Sequence, residues 1–357
     1  MTKVKIGLAI ALMLVSLLVS ACSSLEAAAP TEQEIVINSA EITPEQEGTQ
    51  PPTATLRPTP APVTPTLTSE GPAISPTPTN TLDPYNTLIV KGAELFTNGD
   101  YQGAHAVINE AIQMDPTKPD GYYYRGRIYD AQQKYDEAIT AYNYALNYDP
   151  NNAEAYVARG IIWAVQEQHS QAIKDFTKAL ELKPELVSAY TNRAISQFSQ
   201  RTDEAAVKAF EDFTKAIELA PDRADVYFNR GQAYLITGQL EKVVEDMNQS
   251  IALDPNQSGA FMMRGQAFLG IREFNKAIAD FDAALKLDAN LPNVYLYRAM
   301  TYASIGEKEK GIQDARKAVE LAKDEELRQS AQAVLDDLIQ ATPIPSPTPA
   351  PPTTPTP

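Results

Sequence analysis

A turn that recurs at a fixed interval constrains this chain more than any other feature. The dipeptides Asp115-Pro116, Asp149-Pro150, Lys183-Pro184, Ala220-Pro221 and Asp254-Pro255 are spaced 34 residues apart, with one interval of 37. Asp288-Ala289 continues the series without its proline. Proline cannot donate the next helical hydrogen bond, so each turn ends a helix. A period in this range marks a chain built from one supersecondary unit copied along its length.

Aligning the turns brings further columns into register. An aromatic residue opens each unit at Tyr122, Tyr156, Tyr190, Tyr227, Phe261 and Tyr295. Four residues later stand Gly126, Gly160, Ala194, Gly231, Gly265 and Ala299. Two further columns are mostly alanine: Ala138, Ala172, Ala209, Val243, Ala277 and Gly311, then Ala145, Ala179, Ala216, Ser250, Ala284 and Ala318. Large residues three and four apart make an apolar stripe on a helix, and small ones let an antiparallel helix approach. A helix pair of this kind cannot cover its own apolar face, so successive pairs must stack.

These columns resemble the tetratricopeptide repeat (TPR), whose W-x2-L-G-x2-Y…A-x3-F…P signature they match at nearly every position. The resemblance implies an all-α TPR solenoid, a right-handed superhelix of about seven helix pairs closed by a C-terminal capping helix. The repeat region spans 84–341, with repeats at about 85–118, 119–152, 153–186, 187–223, 224–257, 258–291 and 292–323. The cap covers 324–340, where Leu327, Val334, Leu335 and Leu338 fall on one side. The fourth unit carries three extra residues around Ser199 to Ala205, so a longer turn is expected there. The fifth has Val243, Met247 and Ser250 at positions usually small, aromatic and small, which predicts looser packing of its second helix.

The two ends differ in character from the middle. Lys3 and Lys5 precede an apolar run from Ile6 to Val19, too short for the ~20 residues of a membrane-spanning helix but right for a signal peptide. Val19-Ser20-Ala21-Cys22 follows and resembles the lipobox of bacterial lipoproteins. That resemblance implies a signal peptide over 1–21, cleavage before Cys22 and acylation of its thiol. Cys22 is the single cysteine, so no internal disulfide can form. Two or three acyl chains hold a protein stably where one is marginal. Residues 22–83 are rich in Thr, Ser and Glu, and eleven prolines run from Pro44 to Pro84, a composition that favours an extended, disordered linker. The tail at 342–357 repeats this Pro/Thr chemistry. The expected location is the extracytoplasmic side of the cell envelope, on a membrane held only through the lipid.

Charge narrows the choice of partner. The chain carries −16, and Lys3, Lys5 and the acidic linker account for enough of it to leave −11 on the repeats. An acidic domain repels phosphate backbones, which excludes nucleic acid as the expected partner. No phosphate loop, nucleophile elbow or metal-ligand spacing is present, and His105 and His169 stand in different units. The expected function is therefore non-enzymatic, with no metal and no cofactor.

One charged pattern is regular. Arg125, Arg159, Arg193, Arg230, Arg264 and Arg298 fill a column on the first helices. Asp175, Asp212, Asp246, Asp280 and Asp314 fill another on the second helices, with Ala141 and Val107 in the acid position of the first two units. Pairing each acid with the arginine of its own unit leaves no acid over, which predicts a register-fixing ion pair rather than an anion-binding row.

In the TPR family the first helices line a concave groove that holds a protein or peptide partner. Carried onto this chain, the partner-binding groove comprises Tyr123, Tyr124, Arg127, Asn192, Phe228, Asn229, Gln232, Met262, Met263, Gln266 and Tyr297. Arg127 is the one cation in these columns, so a clamp for a terminal carboxylate is not expected. Asn192 and Asn229 offer amides suited to a peptide backbone, and methionine adapts to irregular surfaces. The alternatives are a receptor for a wall polymer or carbohydrate, favoured by the aromatics, and a self-associating structural spacer.

Overall fold

The computed structural model describes residues 83–340. Cys22, the signal-like segment, the Pro/Thr linker and the tail lie outside the described residues. Fifteen helices and no strands are found among the described residues. They fall into two units, divided after Ile236.

The first unit holds nine helices. They are α1 (Pro84–Thr97), α2 (Tyr101–Met114), α3 (Pro119–Ala131), α4 (Tyr135–Tyr148), α5 (Ala153–Val165), α6 (His169–Leu182), α7 (Val187–Phe198), α8 (Asp203–Leu219) and α9 (Ala224–Ile236). From α1 to α8 each first helix packs on its own second helix, and each second helix packs on the next first helix, ending at α9. The second unit holds α10 (Leu240–Leu253), α11 (Ser258–Gly270), α12 (Phe274–Leu287), α13 (Pro292–Ile305), α14 (Lys308–Leu321) and α15 (Glu325–Gln340). There α15 lays Ala331, Val334, Leu335 and Leu338 against α13 and α14, while Leu327 is half-buried. The helix-pair architecture expected from the 34-residue period is the one observed.

The recurring turn has a local cause. Asp115 closes α2, its backbone N–H donating to Ala111 O, and Pro116 prevents a further turn. Its Oδ1 then accepts from Thr117 N at 3.0 Å. Asp149, Asp254 and Asp288 accept in the same way from Asn151, Asn256 and Asn290. An Asp side chain that bonds the backbone two residues on fixes a turn. This explains why Asp288 keeps the turn although its proline is missing.

The small and large columns meet across each pair. A Cβ on Gly160 would come within 2.8 Å of the Phe176 ring, and one on Gly265 within 2.6 Å of Phe281. Both rings are fully buried, so the glycine is what admits the ring at that crossing. The alanine columns are sealed in the same manner, from Ala104 through Ala318.

Two expectations need correction. The three extra residues do not make a long turn; they lengthen α8 to 17 residues, against 14 in α4, α6 and α12. Thr202 caps that helix by accepting from Ala205 N, and Asp203 and Glu204 suit its first turn. The added turn therefore satisfies its own backbone instead of looping out. The second helix of the fifth repeat, α10, is also not loose. Val243, Met247 and Ser250 are fully buried, and the Ser250 hydroxyl donates to Gln257 Oε1 at 3.1 Å.

Candidate functional site

Four members of the arginine column are bound within their own repeats. Arg159 grips Asp175 with Nε and Nη2 at 2.8 and 2.7 Å, and Arg193 grips Asp212 at 2.7 and 2.8 Å. In the second unit Arg264 holds Asp280 and Arg298 holds Asp314 through the same two nitrogens. Each guanidinium also lies over the aromatic ring three residues before it, at 5.5 to 5.6 Å. The expected pairing is thus observed in these four repeats, and these four arginines are not free for an anion.

A third arm escaped the sequence. Nη1 of Arg159 donates to Asn143 at 2.6 Å, that of Arg193 to Thr177 at 3.1 Å and that of Arg264 to Asn248 at 2.7 Å. Arg298 reaches Asp282 with the same nitrogen. Asn143, Thr177, Asn248 and Asp282 all sit sixteen residues earlier, on the second helix of the preceding repeat. Each of these four arginines thereby ties its own repeat to its neighbour. The signal in the sequence is a column of acceptors rather than of acids.

Along the first helices, the residues named for the groove are more enclosed than an open trough. Tyr123 and Tyr124 are buried; their rings meet edge-on at 5.5 Å, and Tyr123 also packs on Tyr142. Burial raises the Tyr124 phenol above its ordinary value. Arg127 is half-buried with its guanidinium 4.9 Å from the Phe96 ring. Asp130, one turn on, has its carboxyl pushed by burial up to about 6, against the opposing charge of Arg127. In the second unit Met263, Gln266 and Tyr297 are buried, with Tyr297 stacked on Phe281, while Met262 is half-buried.

Around α7 and α9 two of the named residues, Asn192 and Asn229, converge on one polar cleft. Asn192 and Asn229 line it together with Ser188, Thr191 and Ile195. Asn192 is buried and donates through Nδ2 to Ser188 O at 2.9 Å, so it keeps a second N–H and its carbonyl oxygen. Phe228 is buried beside Asn229 in sequence, and Gln232 is half-buried one turn further along α9. Arg223 and Asp225 complete the cleft and hold each other bidentately, both contacts at 2.7 Å. Sequence columns missed this pair because Arg223 precedes the helix and Asp225 lies in its first turn. The cleft thus offers amides, a hydroxyl and a self-neutralised ion pair. Such a set hydrogen-bonds a neutral polar group and does not capture a net charge.

Among the described residues no group of three or more His, Cys, Asp or Glu is placed to hold a metal ion. No described helix is long and apolar enough to cross a membrane.

Models of the tetratricopeptide repeat match residues 107–140, 153–186, 213–245 and 262–326, and a TPR repeat model matches 126–164. The described residues form a tetratricopeptide-repeat domain. All of these matches are to repeat models. No curated protein matches the chain in sequence. Among solved structures, the domain is similar to a tetratricopeptide repeat protein from Parabacteroides merdae ATCC 43184, at 20% identity and a TM-score of 0.52. That match covers 72% of this chain and 99% of the other. The C-terminal part of a TPR repeat-containing protein from Cytophaga hutchinsonii is similar at 18% identity and a TM-score of 0.53, covering 68% and 98%. The Cut9-Hcn1 hetero-tetramer of the APC/C is similar at 17% identity and a TM-score of 0.57, covering 73% of this chain and 49% of that one. At these identities the likeness is one of fold. TPR helix pairs, not residue identity, are what the three share with this chain.

Proposed function

We propose that this chain is a non-enzymatic scaffold, anchored to a membrane by lipid on Cys22 on the extracytoplasmic side of the cell envelope. Its TPR domain binds an extended segment of a partner protein along the first-helix face. The observation that carries the binding site is the cleft where Asn192 and Asn229, from consecutive first helices, come together. Amides at that place suit a main chain, which presents one donor and one acceptor at each residue whatever its sequence. The Arg223–Asp225 pair beside them is neutral as a whole, which fits the same reading. The carbohydrate alternative relied on Tyr123, Tyr124, Phe228 and Tyr297. Those side chains are buried, so they offer no ring face to a sugar and do not favour that reading.

The anchor and the groove are tested separately. Cys22→Ala is expected to leave an unprocessed precursor or a protein released from the membrane, as read by fractionation. A fully processed variant that stays membrane-bound would remove the lipid anchor from the proposal. For the groove, the double change Asn192→Ala with Asn229→Ala is expected to weaken a partner recovered from envelope extract by about tenfold or more, since each lost buried bond costs about 1–3 kcal/mol. Thermal stability is expected to change little, and Lys276→Ala, an exposed residue of α12, serves as the silent control. Unaltered affinity with the fold intact would move the site away from α7 and α9.

A further inference from the structure

One arginine of the column is bonded unlike the four carboxylate-bound ones. Arg125 occupies the column on α3, and Ala141 stands where Asp175, Asp212, Asp280 and Asp314 stand in other repeats. The place of the third-arm acceptor belongs to Asn109 on α2, and Asn109 donates its Nδ2 to His105 Nδ1 at 3.0 Å instead. Arg125 Nε is shielded from solvent and has no hydrogen-bond acceptor among the described residues. What the guanidinium does have is the Tyr122 ring, 5.0 Å from its carbon. With no carboxylate of its own repeat beside it, the Arg125 guanidinium keeps its charge uncompensated, so an incoming anion gains more here than at the paired arginines of the column.

Its surroundings favour a negative, partly apolar visitor. Burial, and then the charges of Arg125 and Lys134, hold the His105 imidazole below its ordinary pKa, so cationic groups gather here although the domain is acidic overall. Ala141, Tyr144 and Tyr148 follow one another at helical spacing on α4. The two tyrosines are 49% and 41% exposed, and both stack on Tyr122, with ring centroids 5.3 and 5.5 Å away. In the complete repeats the outer arm bonds at the solvent-exposed surface, as Arg159 does to Asn143 and Arg264 to Asn248. The corresponding edge of Arg125 is where a ligand from solvent arrives.

We infer that Arg125 anchors a second docking point, on the second-helix face of the first two repeats, for an acidic segment of a partner protein. A Glu or Asp carboxylate takes the outer edge of the guanidinium, where Asn143 and Asn248 accept in other repeats, and the segment's apolar part lies on Tyr144 and Tyr148. Carboxylate–guanidinium geometry supplies the specificity and the exposed rings supply area. This surface is separate from the cleft between α7 and α9, and neither depends on the other.

The test is calorimetric titration of the full processed chain with an end-capped peptide that alternates Glu and Tyr, beside the same peptide with Gln for Glu. The Glu peptide is expected to bind saturably and the Gln peptide is not. Arg125→Gln is expected to weaken binding by about tenfold or more. Ala141→Asp, which supplies the missing carboxylate within the chain, is expected to do the same while the melting temperature holds or rises. Because Ala141→Asp recreates a pair seen four times in this fold, it separates loss of the site from loss of the structure. Failure of the Glu peptide to bind, or binding that survives both substitutions, overturns the inference. So does binding lost in the Asn192→Ala and Asn229→Ala double variant but kept in Arg125→Gln, which would place acidic segments in the groove. A peptide that binds only with its C-terminus uncapped would assign Arg125 to chain ends and overturn the acidic-segment assignment.

Discussion

Phe176→Ala is expected to destabilise the first unit by about 3–5 kcal/mol, the usual cost of emptying a buried aromatic site. Phe176 is fully buried among Ala172, Ala179, Leu180 and Ala189, and its ring fills the space left by the absent side chain of Gly160. The cavity cannot close easily, because α5 and α6 are each held by neighbours on both sides. Trp163, the single tryptophan, packs against the same cluster, so its fluorescence follows the loss directly. The reverse change, Gly160→Leu, is expected to overpack the crossing at a cost of about 1–3 kcal/mol. Combining the two should cost clearly less than their sum, because the new leucine enters the volume the ring has vacated. Additive losses, measured by urea denaturation followed at Trp163, would mean that glycine and ring do not share one space.

How much of this was legible beforehand depended on how local each cause is. The Asp-Pro turns, the Gly-against-ring crossings and the alanine seams are set by residues within one helix pair, so periodic columns revealed them. Within-repeat pairing of Arg159 with Asp175 was legible too, because counting acids against arginines left no other economical solution. The third arm was not, since Asn143, Thr177, Asn248 and Asp282 differ in type and share only the capacity to accept. Nor was the fate of the insertion, although Thr202 followed by Asp203 and Glu204 is a helix-start signal that places the extra residues inside α8. The groove proved hardest. A column names the face of a helix, but exposure on that face depends on how closely the next first helix approaches. Tyr123 and Tyr297 lie on the assigned column and are nonetheless buried. Arg223 and Asp225 lie outside it and still line the one polar cleft that gathers Asn192 and Asn229.

The arginine ladder yields the second large effect, and it distinguishes a register device from decoration. Asp280 is buried and holds Arg264 with both carboxylate oxygens, the two side chains being 9% and 19% exposed. Asp280→Ala is expected to cost about 2–3 kcal/mol, below the ~3–5 of a fully buried broken pair because water still reaches part of the guanidinium. Most of that loss is the penalty of an abandoned cation. Removing both partners, as Arg264→Leu with Asp280→Ala, is therefore expected to cost less than the two single losses together, by about 1–2 kcal/mol of coupling. Arg264 with Asp246 should show almost none, because the outer arm of Arg264 ends on Asn248. Asn248→Ala should then weaken the stacking of α10 on α11 without touching the pair itself, so its effect adds to that of Asp280→Ala. Arg125→Leu supplies the internal reference: with no acid to abandon, it should cost little in the absence of a ligand. Equal losses at Arg125 and Arg264, read from chemical denaturation, would mean that the ladder stabilises through packing of the side-chain stems over the aromatic column. In that case the conserved geometry of the four carboxylate pairs would reflect register alone, with the tyrosine and phenylalanine rings beneath them supplying the energy.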